Sequence, residues 1–104
     1  METPTAQAAA RLAAIASGIE AQRPDDTLRD LLEQACSSCE RAAAGERSRE
    51  LASLLAQVQT AARTWGDVWP RLGRQREFRL AVAREARLWS KRLMSVHVAA
   101  APPS

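Results

Sequence analysis

Arg47–Asp67 reads RSRELASLLAQVQTAARTWGD, and its spacing decides the fold. Leu51, Leu54, Leu55, Val58, Ala62 and Trp65 recur at steps of three and four, the period of one helical face. The stretch shows no strand-like alternation. Gly66 stands where a helix of this length would end, and Asp67 is a good cap for a helix that follows it.

The same period extends in both directions. Toward the N-terminus, Asp25-Asp26-Thr27 open a segment that runs to about Ala44. Acids there suit the positive end of a helix dipole. Its apolar face is Leu28, Leu31, Leu32, Ala35, Cys39 and Ala42, and Gly45 follows. A first segment runs from about Thr5, a plausible N-cap, to Gln22. Ala8, Leu12, Ile15 and Ile19 share one face, and Arg23-Pro24 ends it, because a residue before proline is pushed out of the helical region. Toward the C-terminus, Asp67 would cap a fourth segment with Pro70 in its first turn. Its inward stripe is Phe78, Val82, Ala86, Trp89, Leu93 and Val96. Gly73 would divide it into a short turn and a long helix from Arg74 to about Val98. Links of roughly two to five residues join antiparallel neighbours. The expectation is an all-α, antiparallel up-down bundle of four helices in one domain over 1–104, ordered over about 5–98, with 99–104 as a flexible tail. The first helix, built largely of alanine, is the weakest member.

Composition sets limits on the core. The 104 residues are 46% hydrophobic but only 4% aromatic, and much of the apolar part is alanine. Alanine favours helix yet brings little apolar area, so the core is thin and self-association is an expected remedy. Two cysteines are too few for a secreted disulfide scaffold. The stretch Leu12–Ile19 is short for a signal sequence and far too short to span a bilayer, so a cytoplasmic protein without membrane attachment is expected.

Charge is unevenly spread. Residues 1–66 carry seven Arg against nine acids, and residues 67–104 carry eight Arg and Lys against three acids. The basic half suits an acidic partner. Arg84, Arg87 and Lys91 project from the outer face of the fourth helix together with Leu80 and Leu88, which are out of register with its inward stripe. Exposed leucines among cations read as a protein-contact surface. Nucleic acid is the alternative partner, with Arg71, Arg74, Arg76, Arg84, Arg87 and Lys91 as phosphate contacts. Thr64–Arg76 would then read as a helix-turn-helix, and Arg79 and Arg92 would widen the positive surface. Asp26, Asp30, Glu33 and Glu40 form an acidic stripe opposite the apolar face of the second helix. Within one bundle the acidic and basic stripes cannot easily neutralise each other; between two molecules they can.

Little in the sequence points to chemistry. Cys36-Ser37-Ser38-Cys39 is a dithiol spacing and a candidate redox switch, but it lies deep inside a helix, where Cys39 is in core register. His97 is the sole histidine. Parallel second and fourth helices would leave it roughly 24 Å from the level of Cys39, so no metal site is expected, and His97 reads as a frayed helix-end residue. Trp65 and Trp69 would close one end of the bundle, their indole N–H groups bonded at the rim. No nucleophile stands in a defined relation to a base, and no glycine-rich phosphate loop exists. The expectation is a non-enzymatic protein–protein interaction module without cofactor, in the manner of an adaptor, a chaperone-like binder or a small subunit of an assembly.

Overall fold

Thr3 opens the first helix. Its hydroxyl oxygen accepts the Ala6 N–H at 3.1 Å, and Pro4 follows at a position where a missing N–H costs nothing. The computed structural model describes residues 3–100. In it α1 spans Pro4–Glu20, α2 Asp25–Gly45, α3 Arg49–Leu72 and α4 Arg76–Ala100. There is no strand among the described residues. Thr5 is therefore not the cap; it is buried, and its hydroxyl donates to Glu46 Oε2 at 3.5 Å.

The first helix ends in a Schellman arrangement. The Arg23 N–H reaches Gly18 O and the Gln22 N–H reaches Ile19 O, both at 3.0 Å. That arrangement needs a left-handed residue, and Gln22 supplies it at φ 55°. Between α2 and α3, Glu46 Oε1 accepts the backbone N–H groups of Arg47 and Ser48, and Ser48 Oγ caps α3 by accepting from Leu51 N.

The third helix runs past its expected end. Gly66, Asp67 and Pro70 all lie inside α3, and the break falls at Gly73. The reason is the apolar stripe. Leu51, Leu55, Val58, Ala62, Trp65 and Trp69 form one buried line, and burying Trp69 requires helix through Gly66. Burying a large aromatic outweighs the roughly 1 kcal/mol that an internal glycine costs. Pro70 forgoes one hydrogen bond near the helix end. At the C-terminus, Ala99 and Ala100 are helical rather than part of a tail, and 101–104 lie outside the described residues.

The four helices form a compact bundle measuring 45 × 22 × 21 Å. Each helix packs on the next, and α4 packs on α1. The Cα traces of α1 and α3, and of α2 and α4, do not approach within 8 Å. Residues early in one helix meet residues late in the next: Thr3 meets His97, Thr5 meets Glu46, and Asp25 meets Trp69. The first helix is not the weak member. Ala8, Leu12 and Ala16 are fully buried and Ile15 nearly so. Its alanines let α2 and α4 approach closely, and Ser90 Oγ on α4 donates to Ala9 O at 2.7 Å. The thin seam is instead between α3 and α4.

Candidate functional site

Helix α4 buries Val82, Ala83, Ala86 and Leu93, while Phe78, Trp89 and Val96 are only half-buried. Ala83, outside the expected inward stripe, lies on the side of α4 that also carries Ser90, which bonds α1. The opposite side of α4 is the unusual surface of the molecule. Among the described residues the exposed large hydrophobics are Leu80 (47%), Leu88 (56%), Met94 (37%) and Val98 (67%), all on this helix. Arg76, Arg84, Arg87 and Lys91 are exposed beside them. On a helical projection Leu80, Val98, Lys91, Arg84 and Arg87 fall within about 60° of one another. Cations and apolar groups therefore share one meridian instead of forming separate faces. The helix carries six Arg and Lys against Glu77 and Glu85.

The cations differ in their freedom. Arg87 pairs with Glu20 at the end of α1. Arg92 stacks on Trp89, its guanidinium carbon 5.3 Å from the ring centroid. Arg79 does not widen the positive surface. It is half-buried, donates to Gly73 O, lies 3.9 Å from Asp25 Oδ1 and stacks 5.6 Å over Trp69. Arg71 and Arg74 are exposed, but the helix-turn-helix that would present them with Arg76 is not formed. Thr64–Leu72 is uninterrupted helix, and the turn comes at Gly73.

The tryptophans close the bundle end as the sequence suggests, with carboxylates as partners. Trp69 Nε1 donates to Asp25 Oδ1 at 2.7 Å, and Trp65 Nε1 donates to Glu85 Oε2 at 3.3 Å. Phe78 lies against Trp69 at 5.6 Å between ring centroids. Asp25 thus serves a tertiary contact, and α2 has no side-chain cap.

Both cysteines are free thiols. Cys39 is fully buried, and burial, reinforced by the neighbouring Cys36, pushes its thiol up to about 12. Cys36 is half-buried and lines a groove of about 310 Å³ between α2 and α3, over Leu32, Ala62 and Trp69 and edged by Arg29, Glu33, Arg63 and Asp67. Only the thiolate is a nucleophile, so Cys39 is poorly placed for redox exchange. His97 is half-buried rather than frayed, with Nε2 3.2 Å from Thr3 Oγ1. Because α4 begins at Arg76, the levels of Cys39 and His97 differ by about 10 Å rather than 24 Å. Their helices nonetheless sit at opposite corners of the bundle. Among the described residues no group of three or more His, Cys, Asp or Glu could hold a metal ion, and no helix is long and apolar enough to cross a membrane.

The acidic residues Asp26, Asp30, Glu33 and Glu40 are all exposed on the outer face of α2. A shallow groove of about 430 Å³ runs beside them between α1 and α2. Sequence reasoning did not find Glu46 as organiser of the α2–α3 turn, nor Gln22 as a left-handed helix stop. A Glu just past Gly45 and a Gln before Arg-Pro carry no distinctive signal. Comparison with protein-family models, with curated proteins and with solved structures finds no match to this chain.

Proposed function

We propose that this chain is a non-enzymatic protein–protein interaction module, an adaptor or small subunit of an assembly, that docks partners on the outer face of α4. The observation that carries this reading is the placement of every exposed large hydrophobic among the described residues on that one helix. Elsewhere among the described residues the bundle covers its large apolar side chains at least in part. Leu80 and Leu88 are the apolar contacts, and Arg84, Arg87 and Lys91 are the charged groups that orient the partner. A phosphate backbone would use Arg71, Arg74, Arg76, Arg84, Arg87 and Lys91 but would leave the intervening leucines in water. A bilayer would take the leucines but would draw Lys91 and Arg84 in with them. A protein surface accommodates both.

The reading is tested by site-specific photo-crosslinking in cells, with the reactive group placed in turn at positions 80 and 88 and, as a control, at exposed Ala56 on α3. Protein adducts are expected from α4 and not from the control. Equal labelling at all positions, or adducts to nucleic acid alone, overturns the assignment.

A further inference from the structure

We infer that the partner of the α4 face is the acidic face of α2 on a second copy of this chain, joined head to tail; the inference rests on α4 being a docking surface. The argument begins with the charge pattern. Read along α2, Asp26, Asp30 and Glu33 are spaced by four and then three residues. Read backwards along α4, Lys91, Arg87 and Arg84 have the same steps. Glu40 and Arg76 extend the match by seven residues on one helix and eight on the other, a mismatch of about 1.5 Å. All eight side chains are exposed, so no competing contact in the core fixes them. Laid antiparallel, the two helices set acid opposite cation over about 21 Å. Leu80 and Leu88 then lie along the α2 surface, beside a polar groove whose walls include Ser37, Gln34, Arg11 and Arg41.

The geometry of one chain prevents it from satisfying itself. The second and fourth helices meet through the Asp25–Arg79 pair at one end, but their Cα traces do not approach within 8 Å; they occupy opposite corners of the bundle, so their outer faces point in opposite directions. For the same reason a two-fold dimer cannot engage both faces of each copy at once. The contact is heterologous: each joint leaves a free acidic face at one end and a free basic face at the other, and growth continues until a ring closes or salt limits it. Arg87 already pairs with Glu20, so in the joint it is shared between Glu20 and the acidic stripe.

The test is sedimentation velocity on the full chain from low to high micromolar concentration, at low and at near-physiological salt. Two variants, each with one charged face replaced by neutral amides, accompany the wild type. One carries Arg84→Gln, Arg87→Gln and Lys91→Gln; the other carries Asp26→Asn, Asp30→Asn and Glu33→Gln. The wild type is expected to grow beyond a dimer with concentration and to shrink with salt. Each variant alone should associate roughly tenfold or more weakly. Their equimolar mixture should recover association but stop at a one-to-one pair, because only one basic and one acidic face remain. Circular dichroism checks that both variants stay helical, and a variant that unfolds is replaced by its Lys91→Gln or Asp30→Asn single-site form. A wild type that is monomeric throughout overturns the inference, as does a mixture no different from its components. If the wild type is monomeric while α4 crosslinks to a protein of another mass, the docking surface stands and the second copy is the wrong occupant.

Discussion

Replacing Gly66 by Ala tests whether α3 is continuous. The position lies inside α3, and no glycine in the described chain has positive φ. A Cβ built there meets nothing within 4 Å. No contact is gained or strained, so the whole effect is helix propensity, about 0.8–1.0 kcal/mol in favour of Ala. For a domain of this size 1 kcal/mol moves Tm by about 4–8 °C, so Gly66→Ala should raise it by about 3–8 °C. Gly73→Ala is the counterpart. Its Cβ would sit 2.6 Å from the carbonyl oxygen of Trp69 and as close to the indole nitrogen. A backbone atom cannot yield cheaply, so a loss of about 1–3 kcal/mol is expected. Thermal and urea unfolding followed at 222 nm measure both. A Gly66→Ala protein less stable than wild type would mean that position 66 is a left-handed helix stop. The path of α3 to Trp69, and the end cluster built on it, would then be wrong.

Gln22→Gly should stabilise the protein by roughly 1 kcal/mol, because the left-handed conformation at φ 55° costs a non-glycine residue about that much; an unchanged urea midpoint refutes the Schellman stop. In the folded protein Cys36 should react with a thiol reagent while Cys39 reacts only after unfolding, and equal rates would reopen the redox reading. Cys39 also makes stability depend on pH. Its folded thiol keeps its proton up to about 12, whereas an unfolded one loses it above 9.0, so the contribution is whole below pH 9.0 and falls as pH rises through that window. The slope is at most about 1.4 kcal/mol per pH unit. It should vanish in Cys39→Ala and persist in Cys36→Ala. A labelled mixed-sequence oligonucleotide should lose binding between low and near-physiological salt; binding that persists, with a salt slope of several phosphates, would make the arginines of α4 a nucleic-acid interface.

The sequence was most legible where one physical signal acted alone. The apolar stripes of α2 and α3 stand out because leucines alternate with charges at helical steps, and they located Leu28, Leu32, Leu51 and Leu55 in the core. It was least legible where signals competed. Gly66, Asp67 and Pro70 all suggest a break, yet the stripe from Leu51 continues unbroken to Trp69, and the stripe prevails. Alanine misled in the other direction. A helix rich in it offers little contrast between its faces, so α1 reads as peripheral although it packs on two neighbours. On the surface, Leu80 and Leu88 were visible because they depart from the inward period. Arg79 was not distinguishable from its exposed neighbours, since its role depends on a turn at Gly73 and on Asp25, far away in sequence.

The bundle does not require the leucines on the outer face of α4. Leu80 and Leu88 are about half exposed, and Gln keeps most of the aliphatic stem by which each touches the bundle. Gln is nearly as good a helix former as Leu, and substitutions at such positions usually change stability by less than about 0.5 kcal/mol. Leu80→Gln with Leu88→Gln should therefore leave helicity and Tm close to wild type while weakening association at α4. The two readouts separate folding from docking. A fall in Tm comparable to that of Gly73→Ala would place both leucines in the structural core. The surface on α4 would then be a continuation of the bundle interior, and the observation on which the interaction module rests would be lost. Wild-type stability with association unchanged would leave the leucines inert and shift the contact to the charged groups alone. Only preserved folding with lost association fits a surface whose apolar groups serve a partner.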